Sequence, residues 1–131
     1  MKIKDMTQED KELLLKDLYA RLPYYPKCEM IDELRVVNNE KDSSYISTLF
    51  LKHIELFSYH NNFIIKPYLH SLSSITKEEK EELIKNFWGS HTAKDTFEEL
   101  SWYLSKHFDI NELIPKGLAI EVTEENNPYK E

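Results

Sequence analysis

Apolar side chains recur from Thr7 to Leu22 at the spacing of one helix face. At 100° per residue Leu14, Leu15, Leu18, Tyr19 and Leu22 fall together and Leu13 lies opposite. Thr7-Gln8-Glu9-Asp10 supplies a start, because a Thr hydroxyl can accept a free backbone N–H and acidic groups meet the positive end of the helix dipole. Pro23 ends the segment by disfavouring helical geometry in the residue before it. The stripe predicts a helix over 7–22 with that face in the core.

From Lys27 to Lys66 the pattern shortens to runs of β-branched and aromatic residues separated by polar turn formers. These runs predict four strands, near Lys27–Ile31, Leu34–Asn38, Tyr45–Leu51 and Ile54–Ile65, the last broken at Asn61-Asn62. The clearest turn is Asn38-Asn39 with Glu40–Ser44, since Asn and Asp tolerate left-handed geometry. The simplest arrangement is a sequential antiparallel meander packed on the first helix, with barrel-like closure as an option. The chain's two glycines, Gly89 and Gly117, both lie outside these strands and make tight closure uncomfortable.

Residues 67–75 read as a loop. Thr76 and Glu79 have the spacing of a capping box and open a second helix to about Phe87, with Leu83, Ile84 and Phe87 on its apolar side, Trp88 at the margin and Gly89 as terminator. A third helix is expected after Asp95, which repeats the pattern with Glu98, and runs to about His107. Its core stripe would be Phe97, Leu100, Leu104 and Phe108. Leu113–Gly117 reads as a turn, Leu118–Val122 as an extended segment able to join the sheet, and Glu124–Asn127 as a frayed end. The expected fold is α+β, one domain over 1–131: an N-terminal helix, a small antiparallel sheet of about four strands, two C-terminal helices and a short extended tail.

Composition supports folding. Hydrophobic residues make up 40% of the 131 positions and aromatics 12%, too much core-forming material for a disordered chain even with 31% charged residues. Cys28 is the single cysteine, so no intramolecular disulfide is available, and with neither a secretory pattern nor an apolar run of roughly 20 residues the expected place is the cytoplasm. The net charge of -7 is uneven: residues 67–131 carry seven Lys/Arg against thirteen Asp/Glu, and residues 1–66 ten against eleven. Such a field repels phosphate backbones, so nucleic acid is a disfavoured partner.

Chemistry is hard to find in the spacing. His53, His60, His70, His91 and His107 are scattered, with no metal-binding pair among them. The serines of Leu72-Ser73-Ser74 and the glutamates of 78–82 match no nucleophile elbow or other mechanistic motif, and Cys28 reads as a small strand residue. Isolated glycines cradle no phosphate. No catalytic, metal or cofactor residue is assigned.

Three aromatic residues stand apart. Trp102 lies roughly opposite Phe97 and Leu104 on the third helix, so it is either covered by a second layer or exposed as a partner or self-association anchor. Tyr24 and Tyr25, between Pro23 and Pro26, are weaker examples of the same ambiguity. Trp102, Tyr24 and Tyr25 are therefore the candidate partner-binding residues.

Three stretches resemble a group of small uncharacterised proteins of gut-bacterial phages and mobile elements. They are Met6-Thr7-Gln8-Glu9-Asp10-Lys11-Glu12-Leu13-Leu14-Leu15-Lys16-Asp17-Leu18 with Ala20-Arg21-Leu22-Pro23-Tyr24, then Ile65-Lys66-Pro67-Tyr68-Leu69, and finally His107-Phe108-Asp109 with Leu113-Ile114-Pro115-Lys116-Gly117-Leu118-Ala119. The resemblance implies a helix, a small sheet and C-terminal helices in that order, and no activity. Residues 27–64 depart most from the pattern, and just before them Tyr25 stands where those sequences often carry Gly.

The leading functional expectation is a non-enzymatic binding or regulatory accessory protein. A small enzyme with a site assembled from distant Tyr, His and acidic residues is the alternative. A third reading has the acidic C-terminal half imitate nucleic acid.

Overall fold

The computed structural model describes residues 6–32, 36–37, 40–41, 44–60, 62–87 and 93–130. Helix α1, Gln8–Arg21, begins where the local chemistry places it: the Thr7 hydroxyl accepts the Asp10 N–H at 3.0 Å, with Glu9 and Asp10 in the first turn. A short 3-10 turn, Leu22–Tyr24, carries Pro23 and closes on Tyr25, whose φ of 52° is left-handed. The buried face of α1 is Leu14, Asp17, Leu18 and Arg21. Tyr19, expected in the core, is half exposed at 50%. The face is rotated because Asp17 and Arg21 satisfy each other and so can be buried as a pair.

Strand β1, Lys27–Asp32, is followed by the two-residue strands β2, Val36–Val37, and β3, Glu40–Lys41, and then by β4, Ser44–Thr48. Glu40 and Lys41, read as turn, pair instead with Val37 and Val36. Leu34, Asn38, Asn39 and Asp42 lie outside the described residues.

The largest departure from the sequence pattern follows β4. Helix α2, Leu51–Tyr59, occupies the first half of the predicted fourth strand, and only Phe63–Leu69, strand β5, is extended. Ile54, Phe57 and Tyr59 favour strands, yet His53, Ile54 and Phe57 form one buried helical face, and packing on that face overrides propensity. His53 fixes the first turn: its Nδ1 accepts the Phe50 N–H at 3.0 Å. Pro67–Leu69, read as loop, belongs to β5, and Leu72–Ser74 forms a 3-10 turn.

The main sheet has the order β4-β1-β5-β6, where β6 is Ile120–Glu121. β1 pairs antiparallel with β4 and with β5, while β6 joins β5 in parallel, so the sheet is mixed and open, neither a meander nor a barrel. Met30 faces Ile65 and Cys28 faces Pro67 across the β1–β5 ladder, which places these four side chains on one surface. Cys28, Met30 and Ile65, with Leu14, Leu18, Ile54 and Phe57, make the centre of the core.

Helix α3, Lys77–Phe87, opens with the expected capping box: the Thr76 hydroxyl accepts the Glu79 N–H at 3.1 Å, and the Glu79 carboxylate accepts the Thr76 N–H at 2.9 Å. Helix α4, Ala93–Ser105, starts before Asp95 rather than after it. Of its predicted core stripe only Leu104 and Phe108 are buried; Phe97 is 69% exposed and Leu100 44%. Phe97 and Leu100 are not part of the core cluster, so this half of the stripe stays largely uncovered.

Past α4 the chain is held by side chains. Both Asp109 carboxylate oxygens accept backbone N–H groups, of Leu113 and Ile114, at 2.9 Å each. Gly117 supplies the left-handed turn, with φ 74°, that returns the chain to β6. The expected fraying does not extend to Tyr129: its hydroxyl accepts the Lys27 N–H at 2.9 Å and donates to the Tyr68 carbonyl at 2.8 Å.

Candidate functional site

Two places on this scaffold concentrate chemistry that packing alone would not ask for. The first is a polar cluster beneath the C-terminal tail. Arg21 donates to Asp17 through Nε at 2.7 Å and Nη2 at 3.1 Å, and Asn111 donates to the same carboxylate at 2.8 Å. Beside them His107 sits in a left-handed conformation, φ 61°, its carbonyl accepting the His70 N–H at 2.8 Å. Its ring stacks on Tyr129 at 4.3 Å between centroids, nearly parallel at 8°. Two buried nitrogens, Arg21 Nη1 and His107 Nδ1, have no protein partner.

Burial governs the electrostatics. It pushes the His107 imidazole down to about 4, helped by the positive charge of Arg21 and by His70, so the ring is neutral at neutral pH. Burial likewise holds the Tyr129 hydroxyl and the Cys28 thiol well above their ordinary values, with Arg21 opposing the shift in both. A thiol so protonated is a poor nucleophile. Arg21 and Cys28 have no exposed surface, and Tyr129 is tied to two strands above them. The cluster locks α1, the sheet and the tail together. Sequence spacing gave little sign of it, because Asp17 and Asn111 are 94 residues apart and Lys27 and Tyr129 are 102 apart.

The second place is the surface of the paired helices α3 and α4. Among the described residues of α3 none is buried, although Leu83, Ile84 and Phe87 share its apolar side. With Glu99 and Tyr103 of α4 these three line an open groove of about 180 Å³. On α4, successive steps of three residues carry the apolar surface from Tyr103 to Leu100 and on to Phe97. Ile84 is 57% exposed.

The three singled-out aromatics are placed differently from one another. Trp102 is half-buried and stacks on Phe108 at 5.9 Å and 12°, with Tyr103 edge-on at 5.3 Å and the Lys106 ammonium 5.3 Å from its ring centroid. Its indole N–H is buried and unpartnered. Tyr25 is 63% exposed at the α1–β1 turn, where a left-handed φ costs any side chain more than it costs Gly, and Tyr24 is half-buried. Neither tyrosine is among the ring partners of Trp102. The exposed positions of α3 and α4 were missed, because their apolar periodicity is that of an ordinary core-facing helix.

Among the described residues no group of three or more His, Cys, Asp or Glu is arranged to hold a metal, and no helix is long and apolar enough to cross a membrane. Searches of family models, curated proteins and solved structures find no match to this chain.

Proposed function

We propose that this chain is a non-enzymatic binding module, an accessory protein of a phage or mobile element, that engages its partner through the paired helices α3 and α4. The observation that carries the reading is α3 itself: eleven residues, an apolar side of Leu83, Ile84 and Phe87, and no buried residue. A helix this short gains little stability from propensity alone and is held by burying its apolar side. Exposed apolar surface rimmed by polar groups is characteristic of interaction sites. The groove of about 180 Å³ is smaller than the roughly 300 Å³ at which small-molecule sites begin, which favours side chains of a partner over a free substrate. The phage or mobile-element setting rests on the resemblance of the three sequence stretches.

The test compares the intact chain with Ile84→Asp as bait in pull-downs and in sedimentation. A charge at this exposed position should leave the thermal melt unchanged and abolish capture or self-association. Retention of every partner and of the same sedimentation behaviour by the variant, together with turnover in a substrate screen, would sink the reading.

A further inference from the structure

We propose that the occupant of the α3–α4 groove is a cationic amphipathic helix of a partner protein rather than a second copy of this chain; this rests on the reading of α3–α4 as a docking face. Two helices side by side, with an apolar floor between them, fit the helix-in-groove mode of recognition. The lining is short: Leu83 to Phe87 on α3 and Glu99 to Tyr103 on α4 each span about one turn, roughly 6 Å at 1.5 Å per residue, so the groove seats one turn of a third helix.

Charge decides the character of that helix. Among the described residues Glu99 is the one charged residue lining the groove, whose other walls are Leu83, Ile84, Phe87 and Tyr103. Glu78, Glu81 and Glu82 of α3 and Glu98 of α4 are exposed. Lys106 lies 3.9 Å from Glu82 and over the Trp102 ring, so that pair is matched, and the remaining glutamates of α3 and α4 still outnumber Lys77, Lys80 and Lys85 of α3. The whole segment 67–131 has a net charge of -6, seven basic residues against thirteen acidic. In a two-fold dimer built on this face the same acidic patch would meet itself, because such interfaces pair identical surfaces. A helix with leucines on one face and lysines at its borders meets the floor with the first and Glu99 with the second.

The experiment titrates the full chain with three synthetic peptides of about 14 residues: an amphipathic Leu/Lys helix, the same pattern in Leu/Glu, and the Leu/Lys composition scrambled so that no apolar face forms. Calorimetry and intrinsic fluorescence report binding. The Leu/Lys helix should bind at least about tenfold more tightly than the other two, with Glu99→Gln narrowing the gap and Ile84→Ser weakening the Leu/Lys peptide about fivefold or more. Equal affinity for Leu/Lys and Leu/Glu, or equal affinity for the scrambled peptide, overturns the inference and leaves the docking face standing. A chain that ignores all three peptides and sediments as a dimer dissolved by Ile84→Ser also overturns it, with a second copy as the occupant. Failure of all three peptides in a chain whose Ile84→Asp variant keeps every partner overturns the docking face as well. The exposed position of Ile84 makes both variants compatible with folding, and a circular-dichroism melt verifies this.

Discussion

Asp17 and Arg21 face each other one turn apart on the inner side of α1, Nε to Oδ2 at 2.7 Å, with no exposed surface on either side chain. Their worth lies in being matched. Breaking a buried pair leaves an uncompensated charge, so Asp17→Ala should destabilise the chain by about 3 to 5 kcal/mol. Asp17→Leu combined with Arg21→Met should recover most of that loss. Urea denaturation of the single and double variants measures the difference, and an additive double variant would count against the argument.

His107 links stability to pH. Its folded-state value of about 4 lies below the ordinary 6.5, so between these two the unfolded chain binds the extra proton. The contribution is fully present above about pH 7 and is lost as pH falls toward 4. His107→Asn, a residue that tolerates the left-handed φ of 61°, should flatten the fall in melting temperature across that window. His53 and His70, lowered in the same direction by burial, keep part of the slope. An unchanged slope in the variant would exclude His107 as its source.

Tyr129→Phe keeps the ring on His107 and removes the hydroxyl that bridges Lys27 and Tyr68. A loss of about 1 to 2 kcal/mol is expected, since two backbone groups lose their shared partner. Amide exchange should show faster opening of the tail before that of β1 and β5.

Trp102→Ala should cost about 2 kcal/mol, less than a fully buried Trp, because the ring is half-buried against Phe108. Trp102→Phe should cost less still, as it keeps a ring and removes an N–H that has no partner. Denaturation curves compare the two directly.

Tyr25→Gly should be neutral or stabilise by up to about 1 kcal/mol, because φ 52° strains a side chain and suits Gly. A clear loss of stability would mean that the exposed ring makes contacts that outweigh the strain.

What the sequence alone determined is what neighbouring residues decide among themselves. Thr7 starts α1 and Thr76 with Glu79 starts α3, because a cap needs only a hydroxyl or carboxylate within three residues of a free N–H. β1, β4 and β6 were also legible, as short extended runs between turn formers, and so was the presence of α4. Tertiary structure decided the rest. Residues 51–59 became helix because His53, Ile54 and Phe57 could be buried together, a choice their strand-favouring side chains do not reveal. Phe97 and Leu100 carry the periodicity of a core stripe and remain exposed, since periodicity gives a face and says nothing of what lies opposite it. The polar cluster joins residues as far apart as Lys27 and Tyr129, and no local rule connects groups that only the folded chain brings within 2.9 Å.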